Sequence, residues 1–93
     1  MQKSNVLIVD DAPINRELLA FILQDHYQVF QAENGKQAIE MIESKERIYR
    51  LVLLDIQMPG MDGMETAKML RQDNEDMILI FVTAAEEYVF QAF

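Results

Sequence analysis

The 93-residue chain is short enough to form one domain at most, and its 51% hydrophobic and 26% charged residues are the balance of an ordinary globular protein. Its 16 acidic and 8 basic residues give a formal net charge of −8, which disfavours direct binding to nucleic acid or anionic lipid. The sequence has no cysteine, no signal-peptide core and no apolar run of membrane-spanning length, so disulfides and thiolate metal sites are excluded and we expect a cytoplasmic protein.

The first half of the chain alternates strand patterns with helical ones. Residues 6–9 are a continuous apolar run that stops at Asp10 and Asp11, as in a parallel strand buried on both faces. Pro13 is tolerated in the first turn of a helix, which we predict to run to about Gln24. The apolar stripe of this helix is predicted to comprise Ile14, Leu18, Leu19, Ile22 and Leu23.

A second strand and helix follow, and then a third strand. Residues 27–32 predict a weaker strand, and residues 33–35 supply turn chemistry before a helix with Ala38, Ile39 and Ile42 on one face. The charged residues 43–50 predict a loop. Residues 51–54 are again a fully apolar strand, which ends on Asp55.

The remainder of the chain repeats the alternation once more. Residues 56–63 form a loop rich in proline and glycine, and Met64, Ala67 and Leu70 share one side of the next helix. Residues 77–82 are a further apolar strand that closes on Thr83, and residues 84–93 can begin another helix. This order predicts an α/β fold with a parallel sheet and right-handed crossovers.

Polar side chains stand at the carboxyl ends of three predicted strands: Asp10, Asp11, Asp55 and Thr83. Ligands of open parallel sheets bind at this edge. One such Asp would more often be a helix cap, but two carboxylates ~4 Å apart repel by roughly 4 kcal/mol, a large part of a domain's stability. A hard cation such as Mg²⁺ removes that repulsion, whereas the lone His26, expected at the surface, offers little to softer metals.

A carboxylate beside such a cation can act as a nucleophile on phosphorus and form an aspartyl phosphate. Asp55 is the candidate nucleophile, and the Thr83 hydroxyl is placed to donate a hydrogen bond to a phosphoryl oxygen. The sequence thus predicts phosphoryl chemistry at this edge of the sheet.

Three motifs together resemble the receiver domains of two-component response regulators: VLIVDD at 6–11, LLDIQMPGMDG at 53–63 and FVTA at 81–84. The resemblance implies a flavodoxin-like parallel sheet of order 2-1-3-4-5. It also implies that Asp10 and Asp11 bind the metal, that Asp55 accepts the phosphoryl group and joins the metal ligands, and that the Gln57 backbone carbonyl is a further ligand. Thr83 would be the switch hydroxyl. The implied phosphodonor is a sensor histidine kinase or a phosphotransfer protein, and the receiver would catalyse only its own phosphorylation and dephosphorylation.

The sequence departs from the family pattern after Thr83. Receivers carry a lysine at the end of a fifth strand, followed by a proline and a last helix, whereas all lysines of this chain precede Thr83. We therefore interpret residues 1–93 as one receiver domain that is incomplete at its C-terminus and lacks the fifth strand and last helix. Mg²⁺ binding should survive and phosphorylation should be slower, and the 77–82 strand should be an exposed apolar edge that favours self-association.

Two alternatives to a phosphoacceptor stay open. One is a non-phosphorylated interaction or dimerisation fragment of a receiver, in which the acidic cluster is vestigial. The other is an aspartate-nucleophile phosphohydrolase, which also uses a strand-end Asp and Mg²⁺. That class usually has a second acid two residues after the nucleophile, where this chain has Gln57.

Overall fold

A computed structural model describes residues 3–55, 63–73 and 77–82. Within these residues strands and helices alternate: β1 Ser4–Val9, α1 Pro13–Leu23, β2 Tyr27–Ala32, α2 Gly35–Glu43, β3 Tyr49–Asp55, α3 Gly63–Asp73 and β4 Ile78–Val82. The strands form one parallel sheet in the order β2-β1-β3-β4. The predicted α/β fold is confirmed, and its strand order agrees with the first four strands of the order that the resemblance implied.

β1 lies in the middle of the sheet and is buried on both faces. It pairs with β2 on one side and β3 on the other, which explains why its sequence is a continuous apolar run rather than an alternating one. Leu7 and Val9 point to the face that α2 and α3 cover, while Val6 and Ile8 point to the face on the side of α1. Two hydrophobic clusters therefore sandwich the sheet.

α1 covers its face of the sheet with only part of the predicted apolar stripe. The predicted stripe included Ile14, Leu18 and Ile22, but Ile14 is 78% exposed and Leu18 57% exposed. The cluster on this face is completed by Leu19, Ala20 and Leu23, which are partly buried, and no residue of α1 is fully buried. The prediction is confirmed for Leu19 and Leu23 and wrong for the other three residues, because the helix carries apolar residues in two adjacent i, i+4 rows and only one of them can face the sheet.

β3 begins earlier than predicted. The charged residues 43–50 predicted a loop, yet Tyr49 and Arg50 already belong to the strand. Tyr49 is buried and its ring packs edge-on against that of Phe30, with 5.7 Å between the ring centroids. The strand therefore begins at the buried Tyr49 and continues through the exposed Arg50.

α2 has a well-defined start and a close neighbour. The Asn34 side chain caps the helix by accepting a hydrogen bond of 2.8 Å from the Gln37 backbone N–H, and the Gln37 side chain accepts one of 2.6 Å from the Glu33 N–H. At Gly35 a Cβ would overlap the Thr66 Oγ1. The missing side chain therefore lets α2 and α3 approach each other closely.

None of the helices in the described parts of the chain combines the length and the hydropathy needed to cross a membrane. The loop predicted before α3 and the helix predicted after Thr83 lie outside the described residues.

Candidate functional site

Three carboxylates meet at the carboxyl edge of the sheet. β1 and β3 are neighbours in register, with Val9 opposite Leu54, so the acids that follow or end these strands lie side by side. One carboxylate oxygen from each of Asp10, Asp11 and Asp55 lies within 4.8 Å of the others. Asp10 is only 5% exposed, whereas Asp55 is half-buried and Asp11 is exposed. The acidic cluster predicted from the sequence is therefore formed.

Hydrogen bonds fix the orientation of the Asp10 carboxylate. The Ala12 backbone N–H donates to its Oδ1 at 2.9 Å, and the Asn15 side-chain amide donates to its Oδ2 at 3.4 Å. The Asp10 N–H in turn donates to the Ala32 carbonyl at 3.1 Å, which ties this residue to the end of β2. A buried carboxylate needs such hydrogen-bond partners, and here they orient the Asp10 side chain next to those of Asp11 and Asp55.

Arg16 supports the same residue from the other side. Its Nη1 donates to the Asp10 backbone carbonyl at 2.7 Å, and its Nε donates to the Gln31 Oε1 at 3.2 Å. The guanidinium thereby bridges the ends of β1 and β2 and places a positive charge near the acidic cluster. Sequence reasoning did not assign these roles to Asn15 and Arg16, although their position early in α1, directly after the acidic pair, was a usable signal.

The chemistry of the cluster favours a hard cation. Two carboxylate charges within 4.8 Å of each other repel by at least about 3.5 kcal/mol at an effective dielectric constant near 20. An all-oxygen donor set at the end of parallel strands suits Mg²⁺, which binds one or two carboxylates and completes its shell with other oxygens. His26 is exposed near the end of α1 and is not part of the group. The residues present fit a metal site.

Two predicted site residues cannot be placed. Gln57 and Thr83 lie outside the described residues. The register of β3 and β4 pairs Asp55 with Val82, the residue that precedes Thr83 in the chain. The roles of Gln57 and Thr83 stay predictions.

Comparison with known proteins identifies the family that has this fold and this acidic cluster. The model of the response regulator receiver domain family matches residues 6–93, and the chain belongs to this family. It is 43% identical over 93 residues to the positive alginate biosynthesis regulatory protein of Pseudomonas aeruginosa, an alignment that covers 96% of this chain and 37% of that protein. It is also 43% identical over 88 residues to the sporulation initiation phosphotransferase F of Bacillus subtilis, covering 94% of this chain and 69% of the relative.

Solved structures agree with this assignment. The response regulator TrrA of Thermotoga maritima, crystallised in complex with Mg²⁺ and BeF, is similar with a TM-score of 0.82 and 42% identity, over 91% of this chain and 73% of that one. The complex of histidine kinase ThkA with TrrA matches with a TM-score of 0.76 and 41% identity, over 87% of this chain and 69% of that one. The chain is a receiver module of two-component signalling, and this favours the receiver over the phosphohydrolase alternative.

Proposed function

We propose that Asp55 is the phosphoacceptor of a two-component phosphorelay and that the reaction depends on Mg²⁺. The observation that carries the proposal is the convergence of the Asp10, Asp11 and Asp55 carboxylates within 4.8 Å at the carboxyl edge of the sheet. A half-buried carboxylate between two further acids is a poor arrangement for stability alone. It is a good one for a nucleophile that works beside a cation.

The transfer is a displacement at phosphorus. An Asp55 carboxylate oxygen forms the new bond to phosphorus while the bond to the leaving group breaks, and the leaving group departs with the bonding electron pair. Asp10, Asp11 and Asp55 would hold the cation, and the Gln57 carbonyl would complete the protein ligands. Bound Mg²⁺ supplies neutralisation of the charge on the phosphoryl oxygens. The Thr83 hydroxyl would donate a hydrogen bond to one of these oxygens.

The phosphodonor in this proposal is a sensor histidine kinase or a phosphotransfer protein. Support comes from the similar structure in which TrrA is bound to histidine kinase ThkA, and from the Bacillus relative that is named a phosphotransferase. The chain would catalyse only its own phosphorylation and dephosphorylation, and it would do so in the cytoplasm. The whole protein's output is a separate matter, since the chain spans 37% of the length of the Pseudomonas relative.

Intact mass spectrometry after incubation with acetyl phosphate tests the proposal. We expect the protein to gain one phosphoryl group in MgCl₂ and none in EDTA, and we expect Asp55→Asn to gain none in either. Asp25→Asn, which removes an exposed acid outside the cluster, is the matched control and should behave like the wild type. Phosphorylation of Asp55→Asn at the wild-type level would contradict the assignment of the acceptor.

A second candidate function, self-association, rests on β4. Within the described sheet β4 is an edge strand, and its Ile78 and Ile80 are 53% and 44% exposed on the face opposite α2 and α3. An edge strand with exposed apolar side chains is a template for pairing with another chain. We propose that a second copy of this chain covers this edge.

A further inference from the structure

A cavity of about 500 Å³ lies at the edge of the sheet opposite the acidic cluster. It opens between the end of α2, the middle of α3 and the start of β3, and β3 separates it from Asp55 by about 20 Å. Among the described residues, its lining combines apolar side chains with two cations, and the residues that matter here are Ile42, Ile48, Leu70, Met77, Lys45 and Arg47. The proposed phosphoryl chemistry uses none of them.

The floor of this cavity is apolar and its mouth is open. Ile42, Leu70 and Met77 are buried beneath it, while Ile48, at its mouth, is 88% exposed. The volume falls within the range of small-molecule sites, which are mostly apolar with a few polar groups that fix orientation. The shape and lining therefore suit a compact apolar group rather than a purely polar ligand.

Two cations stand at the rim of this cavity in a chain whose net charge is −8. The Arg47 guanidinium carbon lies 4.4 Å from the centroid of the Phe30 ring, a cation–π contact that restrains the side chain. Its ion pair with the exposed Glu46 is long, at 3.8 Å, and contributes little. The Lys45 ammonium makes no ion pair with any residue that the structure describes. Both cations are thus available to an anion.

Hydrogen bonds pair three of the last four carbonyls of α2, which reduces the negative potential that this helix end presents to an anion. The Ser44 backbone N–H donates to the Glu40 carbonyl at 3.0 Å, and its hydroxyl donates to the Met41 carbonyl at 2.7 Å. Lys45, in the left-handed conformation with φ of 57°, donates its N–H to the Ile42 carbonyl. Among the lining residues that the structure describes, Glu43 is the one acid, so these residues together carry one net positive charge.

We propose that this cavity binds an amphipathic monocarboxylate, with its hydrocarbon part on the floor over Ile42, Leu70 and Met77 and its carboxylate at Lys45 and Arg47. This site is independent of the acidic cluster and of the proposed phosphoryl transfer. If octanoate did not bind, the proposed phosphorylation of Asp55 would be unaffected, and the reverse also holds.

Titration of the ¹⁵N-labelled chain with octanoate, followed by NMR, tests the proposal, with 1-octanol as the neutral counterpart. We expect octanoate to shift amide resonances of residues 39–49 and 69–70 and to bind more tightly than octanol. The double variant Lys45→Gln with Arg47→Gln should weaken octanoate binding roughly two- to tenfold, as expected for two exposed charge pairs. Lys36→Gln, which removes an exposed cation in the first turn of α2 and away from the cavity, should leave the affinity unchanged.

A second variant keeps the test decisive if the double variant disturbs the fold. Ile48→Glu places a carboxylate at the mouth, on a side chain whose exposure makes a folding defect unexpected, and it should abolish octanoate binding. Three results would overturn the proposal. They are equal affinity for octanoate and octanol, loss of affinity in Lys36→Gln equal to that in the double variant, and shifts confined to the exposed row of α1 around Leu18.

Discussion

Replacing the proposed phosphoacceptor Asp55 with Asn should make the metal-free protein more stable. Asp55 takes part in two of the three carboxylate pairs of the acidic cluster. Because the oxygens lie within 4.8 Å of one another, each pair repels by at least about 3.5 kcal/mol at an effective dielectric constant of 20 and by at least about 0.9 kcal/mol in bulk water. Asp11 is exposed and Asp55 is half-buried, so values near the lower limit apply. We expect a gain of about 1–2 kcal/mol, which corresponds to a rise in Tm of at least about 4 °C in a domain of this size.

The same substitution should weaken the response to Mg²⁺. A ligand that binds only the folded state stabilises it by RT ln(1 + [L]/Kd), about 1.4 kcal/mol when the free ligand is at ten times its Kd. The wild type should gain this amount in MgCl₂, whereas Asp55→Asn, with one carboxylate fewer, should gain less. The stability advantage of the variant should therefore shrink or reverse when EDTA is replaced by MgCl₂.

Thermal unfolding followed by circular dichroism, in EDTA and in MgCl₂, measures both effects. Asp25→Asn is the matched control: it removes one negative charge outside the cluster and should change neither the Tm by a comparable amount nor the Mg²⁺ response. Both predictions would be contradicted if Asp55→Asn were no more stable than the wild type in EDTA and were stabilised by Mg²⁺ to the same extent as the wild type.

Three further predictions concern packing, capping and association. Gly35→Ala should lower the free energy of unfolding by about 1–3 kcal/mol in urea, because the new Cβ overlaps Thr66 Oγ1; an unchanged or raised stability would show that α2 and α3 can separate freely. Asn34→Ala should lower it by about 1 kcal/mol through loss of the helix cap, with Asn34→Asp as the conservative control that retains most of it. Ile80→Lys should reduce self-association in sedimentation velocity runs at high protein concentration, since it places a charge on the exposed face of β4, the edge strand of the described sheet; a wild type that is strictly monomeric under these conditions would contradict the self-association proposal.

The sheet and the acidic cluster could be predicted because their signals are local. Two apolar runs of strand length each lead into an acid, and in a parallel sheet both carboxyl ends lie at the same edge. An acid at the end of either strand must therefore lie at this common edge of the sheet. The sequence alone therefore predicts that Asp10, Asp11 and Asp55 lie close together.

Other features depend on tertiary contacts that no local pattern reveals. Apolar residues occupy two rows of α1, so periodicity alone could not show that Leu19 and Leu23, rather than Leu18 and Ile22, face the sheet. The bridge that Arg16 makes to the end of β2 joins residues 15 positions apart. The cavity with its cationic rim likewise combines residues of α2, α3 and β3. The charged residues 43–50 do not reveal in the sequence that they lie next to an apolar surface.

The most direct test of the central claim is to locate the phosphoryl group in the chain. After incubation with acetyl phosphate and MgCl₂, borohydride reduction converts an aspartyl phosphate into homoserine, and peptide mass spectrometry then reads the modified position. We predict homoserine at position 55, with Asp10 and Asp11 unmodified. Homoserine at any other aspartate, with position 55 unchanged, would contradict it.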